Sequence, residues 1–314
     1  MIKKGSSETT RADCLINYNF PFTVNTKLSK KKLDVKKHFI EIPTMFPPGG
    51  ENLTPLVNNR RLLTLPLQGE VSWPGDVINV FYDNIDFSYW LAGLIDGDGY
   101  LGVSKKNYVC CEITVGEKEL NLLNLVKKNL GGSITKRISA KAYRWRLHNE
   151  KSIEILINHI NGKLLLPKKK IQLLKVCEAL NLKAQTNNNF VKQSYWLTGF
   201  YEAEGYFNIN ISTFKCSITL SQKTPELLEK IKQELGGHVY YDISWKGYLY
   251  SASCHQSLLN WFKFFDEFPL KSWKNIELVR FKRIVLFKKR KYHLSNNKVF
   301  KERFLKLITV FTKK

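Results

Sequence analysis

The sequence predicts an α+β chain built from two similar halves, each ordered α-β-β-α-β-β-α. Three observations carry that reading. Blocks of sequence recur at a nearly constant offset. Each recurring unit switches between helical and strand periodicity. Turn signals separate the periodic segments.

The recurrence comes first. Tyr89-Trp90-Leu91-Ala92-Gly93-Leu94-Ile95-Asp96-Gly97-Asp98-Gly99-Tyr100 returns as Tyr195-Trp196-Leu197-Thr198-Gly199-Phe200-Tyr201-Glu202-Ala203-Glu204-Gly205-Tyr206, an offset of 106. Cys111-Glu112-Ile113-Thr114 and Leu130-Gly131-Gly132 return at an offset of 105, as Cys216-Ser217-Ile218-Thr219 and Leu235-Gly236-Gly237. Chance similarity does not hold register across three blocks. The halves span residues 86–185 and 186–314, the second carrying basic C-terminal helices, with the Asn-rich Thr186–Asn189 as the linker. Residues 1–85, broken by Pro43-Thr44-Met45-Phe46-Pro47-Pro48-Gly49-Gly50, read as a loosely structured extension.

The elements follow in order within each half. An apolar helix ends at Gly99 or Gly205, glycine being the common residue just past a helix end. A strand follows it, in the second half the alternating run Phe207–Ser212. The next strand alternates Val109, Cys111, Ile113 and Val115, matched by Phe214, Cys216, Ile218 and Leu220. Leu120, Leu123, Val126 and Leu130 are spaced for a helix, as are Leu228, Ile231 and Leu235. After each Gly-Gly come two more strands, including Tyr143–Leu147, which puts Arg144 and Arg146 on one face. Closing helices lie near Ile171–Leu180 and Ile276–Phe287.

Charge narrows the function. The formal net charge is +23, and residues 89–314 carry 39 Lys/Arg against 18 Asp/Glu. Self-repulsion on that scale opposes a compact fold, and a polyanion relieves it. Nucleic acid is the leading partner; a ribosomal or membrane-surface role, or simple solubility, is the plainer alternative. No apolar run reaches a membrane span, and the first residues show no secretory or transit segment, so no membrane partner is expected. The 6 cysteines include no Cys-x-x-Cys pair, which suits buried thiols in a reducing compartment.

The opening helices carry the chemistry. Gly93/Gly97 and Gly199/Ala203 place small residues four apart, a flat stripe that lets two helices approach closely. Asp98 and Glu204 sit in the last turn, where the helix dipole disfavours a carboxylate. Side-by-side packing would bring both acids to one end of the pair. That makes a hard oxygen site suited to Mg²⁺, able to activate water and stabilise charge on a phosphate. The plain alternative is a pair of solvated terminal acids. Asp96 and Glu202 point about 200° away around the helix and are expected to cap backbone groups or pair with basic neighbours.

Both opening blocks resemble the LAGLIDADG signature of homing endonucleases, and the likeness covers about residues 86–290. Leu91–Gly99 departs from the signature only at Gly97; Leu197–Gly205 is more diverged but keeps the glycine, both acids and the final glycine. The resemblance implies that the four strands of each half form a curved saddle over DNA. It implies that Asp98 and Glu204 bind divalent metal, Mg²⁺ or Mn²⁺, and that both strands are cut across the minor groove. It also implies a basic residue near the start of each final helix: Lys271 in the second half and, because Leu166 falls opposite Lys271, Lys168 in the first.

Polar strand positions supply the expected DNA face: Ser104, Lys106, Arg144, Arg146, Asn208, Asn210 and Ser212, which could instead be merely solvated. The runs Arg280–Arg283 and Lys288–Lys291 suit phosphates. The resemblance leaves a second function open, an intron RNA-binding maturase assisting group I splicing, with or without cutting. Loss of a metal acid would favour it, and neither acid is lost. A DNA-binding protein that no longer cuts is a third reading. With both halves in one chain, a monomer on an asymmetric duplex target is expected. The family's intron genes imply synthesis inside a mitochondrion, or alternatively a chloroplast.

Overall fold

The computed structural model describes residues 84–185 and 194–312. The proposed N-terminal extension up to residue 83, Cys14 and the Thr186–Asn189 linker lie outside the described residues.

The first half runs α1 (Asn84–Asp98), β1 (Gly99–Val103), β2 (Val109–Gly116), α2 (Leu120–Leu130), β3 (Ser133–Arg137), β4 (Ala142–Leu147), α3 (Glu150–Ile160) and α4 (Pro167–Ala179). The second runs α5 (Tyr195–Glu204), β5 (Gly205–Ile209), β6 (Cys216–Gln222), α6 (Glu226–Leu235), β7 (His238–Asp242), β8 (Gly247–Ala252), α7 (His255–Glu267) and α8 (Lys274–Lys289), and α9 (Lys298–Thr312) follows. The predicted αββαββα order is present in each half. One further helix, α3 or α7, stands between the last strand and the predicted closing helix, α4 or α8. The helix that sequence periodicity passed over in the first half is α3. Its Asn149 side chain accepts the Ser152 N–H, and Ile153, Leu156, Ile157 and Ile160 are buried along one face.

Each half holds one antiparallel sheet, ordered β1-β2-β4-β3 and β5-β6-β8-β7. Strand alternation divides each sheet into an apolar face under the helices and a polar outer face. On β2 the buried residues are Val109, Cys111, Ile113 and Val115, as their spacing predicts. In the second half the strand begins at Cys216; Phe214 sits before it with φ of 52°.

The duplicated Leu-Gly-Gly is a shared device. Gly131 and Gly236 both have φ of 76°, a conformation that favours glycine. The turn aims each glycine carbonyl at a buried aromatic of the central strand. Trp145 Nε1 donates to Gly131 O at 2.8 Å, and the Tyr250 hydroxyl donates to Gly236 O at 2.6 Å. Gly99 and Gly205 directly follow the helix ends as predicted, Gly205 as the C-cap of α5, but for a reason other than a left-handed backbone. Gly205 is extended, with φ of −87°. A Cβ there would lie 2.2 Å from the Tyr201 ring, and one at Gly99 would lie 2.6 Å from Ile95 Cα. Crowding, not a left-handed backbone, excludes a side chain at both positions.

Candidate active site

The site begins with the contact between α1 and α5. A Cβ on Gly93 would sit 1.9 Å from Trp196 O, and one on Gly199 would sit 1.9 Å from Trp90 O. The helices therefore touch backbone to backbone, which only glycine permits. Further along, a Cβ on Gly97 would lie 2.2 Å from Ala203 Cβ, so the contact persists into the last turn. The small-residue stripes do what their spacing predicts.

Each helix is then tied to its partner through a buried acid. Trp90 Nε1 donates to Glu202 at 2.6 Å, and Trp196 Nε1 donates to Asp96 at 3.0 Å. Asp96 also accepts the backbone N–H groups of Leu165 and Leu166, at 2.8 and 3.2 Å. Glu202 accepts those of Lys271 and Ser272, the latter at 2.8 Å. Each acid thus fixes the chain just ahead of its own closing helix, α4 or α8, while gripping the other half. Burial pushes the pKa of Asp96 and of Glu202 up to about 7.

Asp98 and Glu204 end the two helices. Asp98 is exposed and Glu204 half-buried. The surrounding protein raises both pKa values by desolvation, and the Asp98 charge raises Glu204 further. Lys274 and Lys169 pull both back down. Among the described residues no group of three or more His, Cys, Asp or Glu is arranged to hold a metal. The residues there that could hold a cation are this carboxylate pair. Mutual repulsion of the pair, relieved by a cation, fits a divalent ion that shares its remaining positions with water or phosphate.

The lysines at this end are not the two expected from sequence. Lys274 Nζ donates to Glu202 O at 2.6 Å, Gly205 O at 2.7 Å and Tyr201 O at 3.3 Å, closing the C-terminus of α5. Lys169 Nζ donates to Gly99 O and closes α1 in the same way. Lys274 and Lys169 stand 105 residues apart, the offset of the repeat. Lys271 instead directs its ammonium over the Tyr195 ring, 5.2 Å from the centroid, at the opposite end of α5 from Glu204. Lys168 is exposed on α4. Leu166 and Lys271 keep the same 105-residue offset, so the carbonyl-bound lysines lie three residues further along in each half.

The pseudo-symmetry breaks at Glu119, which no motif flagged. Its carboxylate accepts the Trp273 N–H at 3.2 Å ahead of α8 and faces Lys274. The position 105 residues on is Thr224. A cavity of about 370 Å³ opens there, between Pro167, Lys170, Thr224 and Lys230.

Of the expected DNA-facing residues, Arg144, Arg146 and Asn208 lie on strands. Glu112 of β2 is paired with both arginines, at 3.2 Å from Arg144 Nη1 and 2.8 Å from Arg146 Nε. The two guanidinium groups are thereby held side by side on the outer face. Ser104 and Lys106 fall in the β1–β2 turn, where Ser104 Oγ accepts the Tyr108 N–H at 3.0 Å. Asn210 and Ser212 fall in the β5–β6 turn, where Asn210 Oδ1 accepts from Ser212 N at 3.0 Å and Thr213 N at 2.9 Å. Both strands end sooner than alternation suggested, because an Asx or Ser side chain captures the backbone and turns it. On α8, Arg280 packs over Trp273 and Arg283 over Phe287.

A family model described as LAGLIDADG endonuclease matches residues 91–180 and 197–285, one match per half. A probable intron-encoded endonuclease aI2 of Debaryomyces hansenii is 34% identical over 212 residues, covering 62% of this chain and 32% of the relative. An intron-encoded RNA maturase bI4 of Saccharomyces cerevisiae is 35% identical over 201 residues, with coverage of 62% and 32%. This chain thus spans about a third of the length of these two curated relatives. An intron-encoded DNA endonuclease ai2b of Dictyostelium discoideum is 26% identical and covers 59% of this chain and 74% of its own. Among solved structures, the I-LtrWI LAGLIDADG homing endonuclease bound to target DNA has a TM-score of 0.56 at 19% identity, covering 72% of this chain and 97% of that one. I-SmaMI bound to uncleaved DNA in the presence of calcium has a TM-score of 0.55 at 19% identity, covering 72% and 99%.

Proposed function

This chain belongs to the LAGLIDADG endonuclease family, and from that premise we propose that it is a site-specific endonuclease that cuts both strands of a DNA duplex. The observation that carries the reading is the placement of Asp98 and Glu204 at adjoining helix C-termini, held there by the Gly93 and Gly199 contacts. A divalent metal, Mg²⁺ or Mn²⁺, held by these acids would lower the pKa of water and offset charge on the scissile phosphate.

The chain's own residues fix the geometry. Lys274 and Lys169 close the helix ends, so the last turns cannot fray away from the phosphate. Their ammonium groups also add positive charge beside the carboxylates, where the substrate is an anion. Arg144, Arg146 and Asn208 face outward from the sheets, as direct readout of base edges needs. Because one chain supplies both acids, a monomer is sufficient, and unlike halves suit an unlike pair of half-sites.

The retained acids favour cutting over a purely RNA-directed role. The similarity to a yeast protein named an RNA maturase supports a second reading, binding of intron RNA with or without cleavage. A cox1 intron-2 protein of Schizosaccharomyces pombe, 29% identical over 228 residues, supports expression from a mitochondrial intron. The test is linearisation of a plasmid carrying the intron-less host allele, with Mg²⁺ at low salt. Absence of cutting together with tight binding of the intron RNA favours the maturase.

A further inference from the structure

A second, strongly basic pocket lies on the helical side of the second sheet, away from the carboxylates. A cavity of about 280 Å³ opens there, with Cys216 and Leu258 at its floor and Ser253, His255, Lys288 and Lys289 around it. Cys216 alternates with the outward Ser217 on β6, so the cavity lies behind the face that carries Asn208 and Thr219. Lys288 is fourteen residues beyond Lys274 on α8, about 21 Å along the helix axis.

The charge arrangement is one-sided. Lys289 Nζ lies 3.1 Å from His255 Nε2. Burial lowers the His255 pKa, and Lys289 lowers it further. Burial likewise lowers His293, with Lys288 adding to the effect. Among the described residues neither lysine forms a salt bridge with a carboxylate. Lys288 and Lys289 therefore bring two ammonium groups to the cavity beside His255, and Arg290 and Lys291 follow at the helix end. An anion placed in the cavity would be attracted by both ammonium groups. The volume admits a phosphate with its waters, one water accounting for about 30 Å³.

We propose that this pocket takes a backbone phosphate of a nucleic-acid strand that does not lie on the sheets. The proposal rests on the nucleic-acid reading above. A duplex held against the outer faces leaves the pocket free, so the chain could hold RNA, or DNA flanking the cut site, at the same time.

The test uses the full chain and the double substitution Lys288→Gln/Lys289→Gln, both on the surface end of α8. Binding of a labelled single-stranded RNA, of a short target duplex and of the same duplex with long flanks is followed across a salt series. The proposal predicts weaker binding of the RNA or of the long-flanked duplex, with a salt slope shallower by about 1.4 for the single strand or about 1.8 for the duplex. The sequence predicts phosphates of the target duplex at Lys288 and Lys289, but both line a cavity behind the sheet, so binding and cutting of the short duplex should be unchanged. Loss confined to RNA identifies RNA as the source, and loss confined to the long duplex identifies flanking DNA. Unchanged slopes for both, or an equal loss on the short duplex, overturn the proposal. A second measurement is independent of any nucleic acid. Inorganic phosphate should raise the pKa of the His255 ring followed by NMR, with His148 as control, and no shift would also overturn it. A wild-type chain that binds neither duplex nor RNA would instead defeat the nucleic-acid reading, while the phosphate titration still reports on the pocket.

Discussion

Trp90 of the first half donates its indole N–H to the Glu202 carboxylate of the second, across 2.6 Å, and both groups are buried. Trp196 and Asp96 repeat the arrangement in reverse at 3.0 Å. The aromatic residue that opens each signature thus reaches the acid near the end of the other. Neither half completes its buried polar network alone, so the two halves are expected to unfold together. Trp90→Phe keeps most of the apolar volume but leaves Glu202 one donor short. The expected cost is about 1–3 kcal/mol, read by chemical denaturation. A cost near zero would show that the bond contributes nothing.

The glycine contacts lead to a second expectation. Gly→Ala in an exposed helix is ordinarily stabilising by about 1 kcal/mol. At Gly93 and Gly199 the new methyl would lie 1.9 Å from a carbonyl oxygen. Gly93→Ala should therefore destabilise the chain, by about 3 kcal/mol at the upper end of overpacking costs. An increase in the denaturation midpoint would contradict the backbone-to-backbone packing.

The lysine assignment is tested by comparing substitutions. Lys274→Met removes the group that closes α5 beside Glu204, whereas Lys271→Met removes one that packs over Tyr195. Cutting should fall at least about tenfold more for Lys274→Met, equivalent to 1.4 kcal/mol. The same ordering is expected for Lys169→Met against Lys168→Met. Larger losses at Lys271 and Lys168 would restore the sequence-based assignment.

Stability should carry the imprint of Asp96 and Glu202. Burial holds their folded pKa values at about 7, above the ordinary carboxyl values of 3.8 and 4.5. The folded state therefore binds more protons than the unfolded chain between those limits. Their contribution is fully present below the unfolded values and is lost as pH rises through about 7. Relative to Asp96→Asn/Glu202→Gln, the wild-type chain should lose stability between pH 5 and pH 8 in thermal melts. A constant difference would show that burial does not govern these carboxyls.

Much of this architecture is legible in the sequence because the repeat reports it twice. The stripes at Gly93/Gly97 and Gly199/Ala203, the paired terminal acids and the capping role of Asp96 and Glu202 all follow from spacing along one helix. The less legible features depend on long-range register. Lys169 and Lys274 keep the 105-residue offset but sit in sequence that has diverged around Leu166 and Lys271, and only the fold shows which lysine reaches a helix-end carbonyl. Glu119 has no counterpart at Thr224, so no repeat could flag it. Ser104, Lys106, Asn210 and Ser212 looked like strand positions because alternation continues into the turns, where local side-chain hydrogen bonds then bend the chain. Glu112 gained meaning only when strand pairing set it opposite Arg146.

The central claim is that Asp98 and Glu204 form one shared cleavage site, and it is tested most directly by separating binding from cutting. Asp98→Asn and Glu204→Gln should each bind the target duplex with wild-type affinity in a gel-shift titration. Each should lower Mg²⁺-dependent cutting roughly 10²–10³-fold, the scale of losing one electrostatic stabiliser at a reacting centre. Cutting that persists at the wild-type rate in either variant would contradict the account.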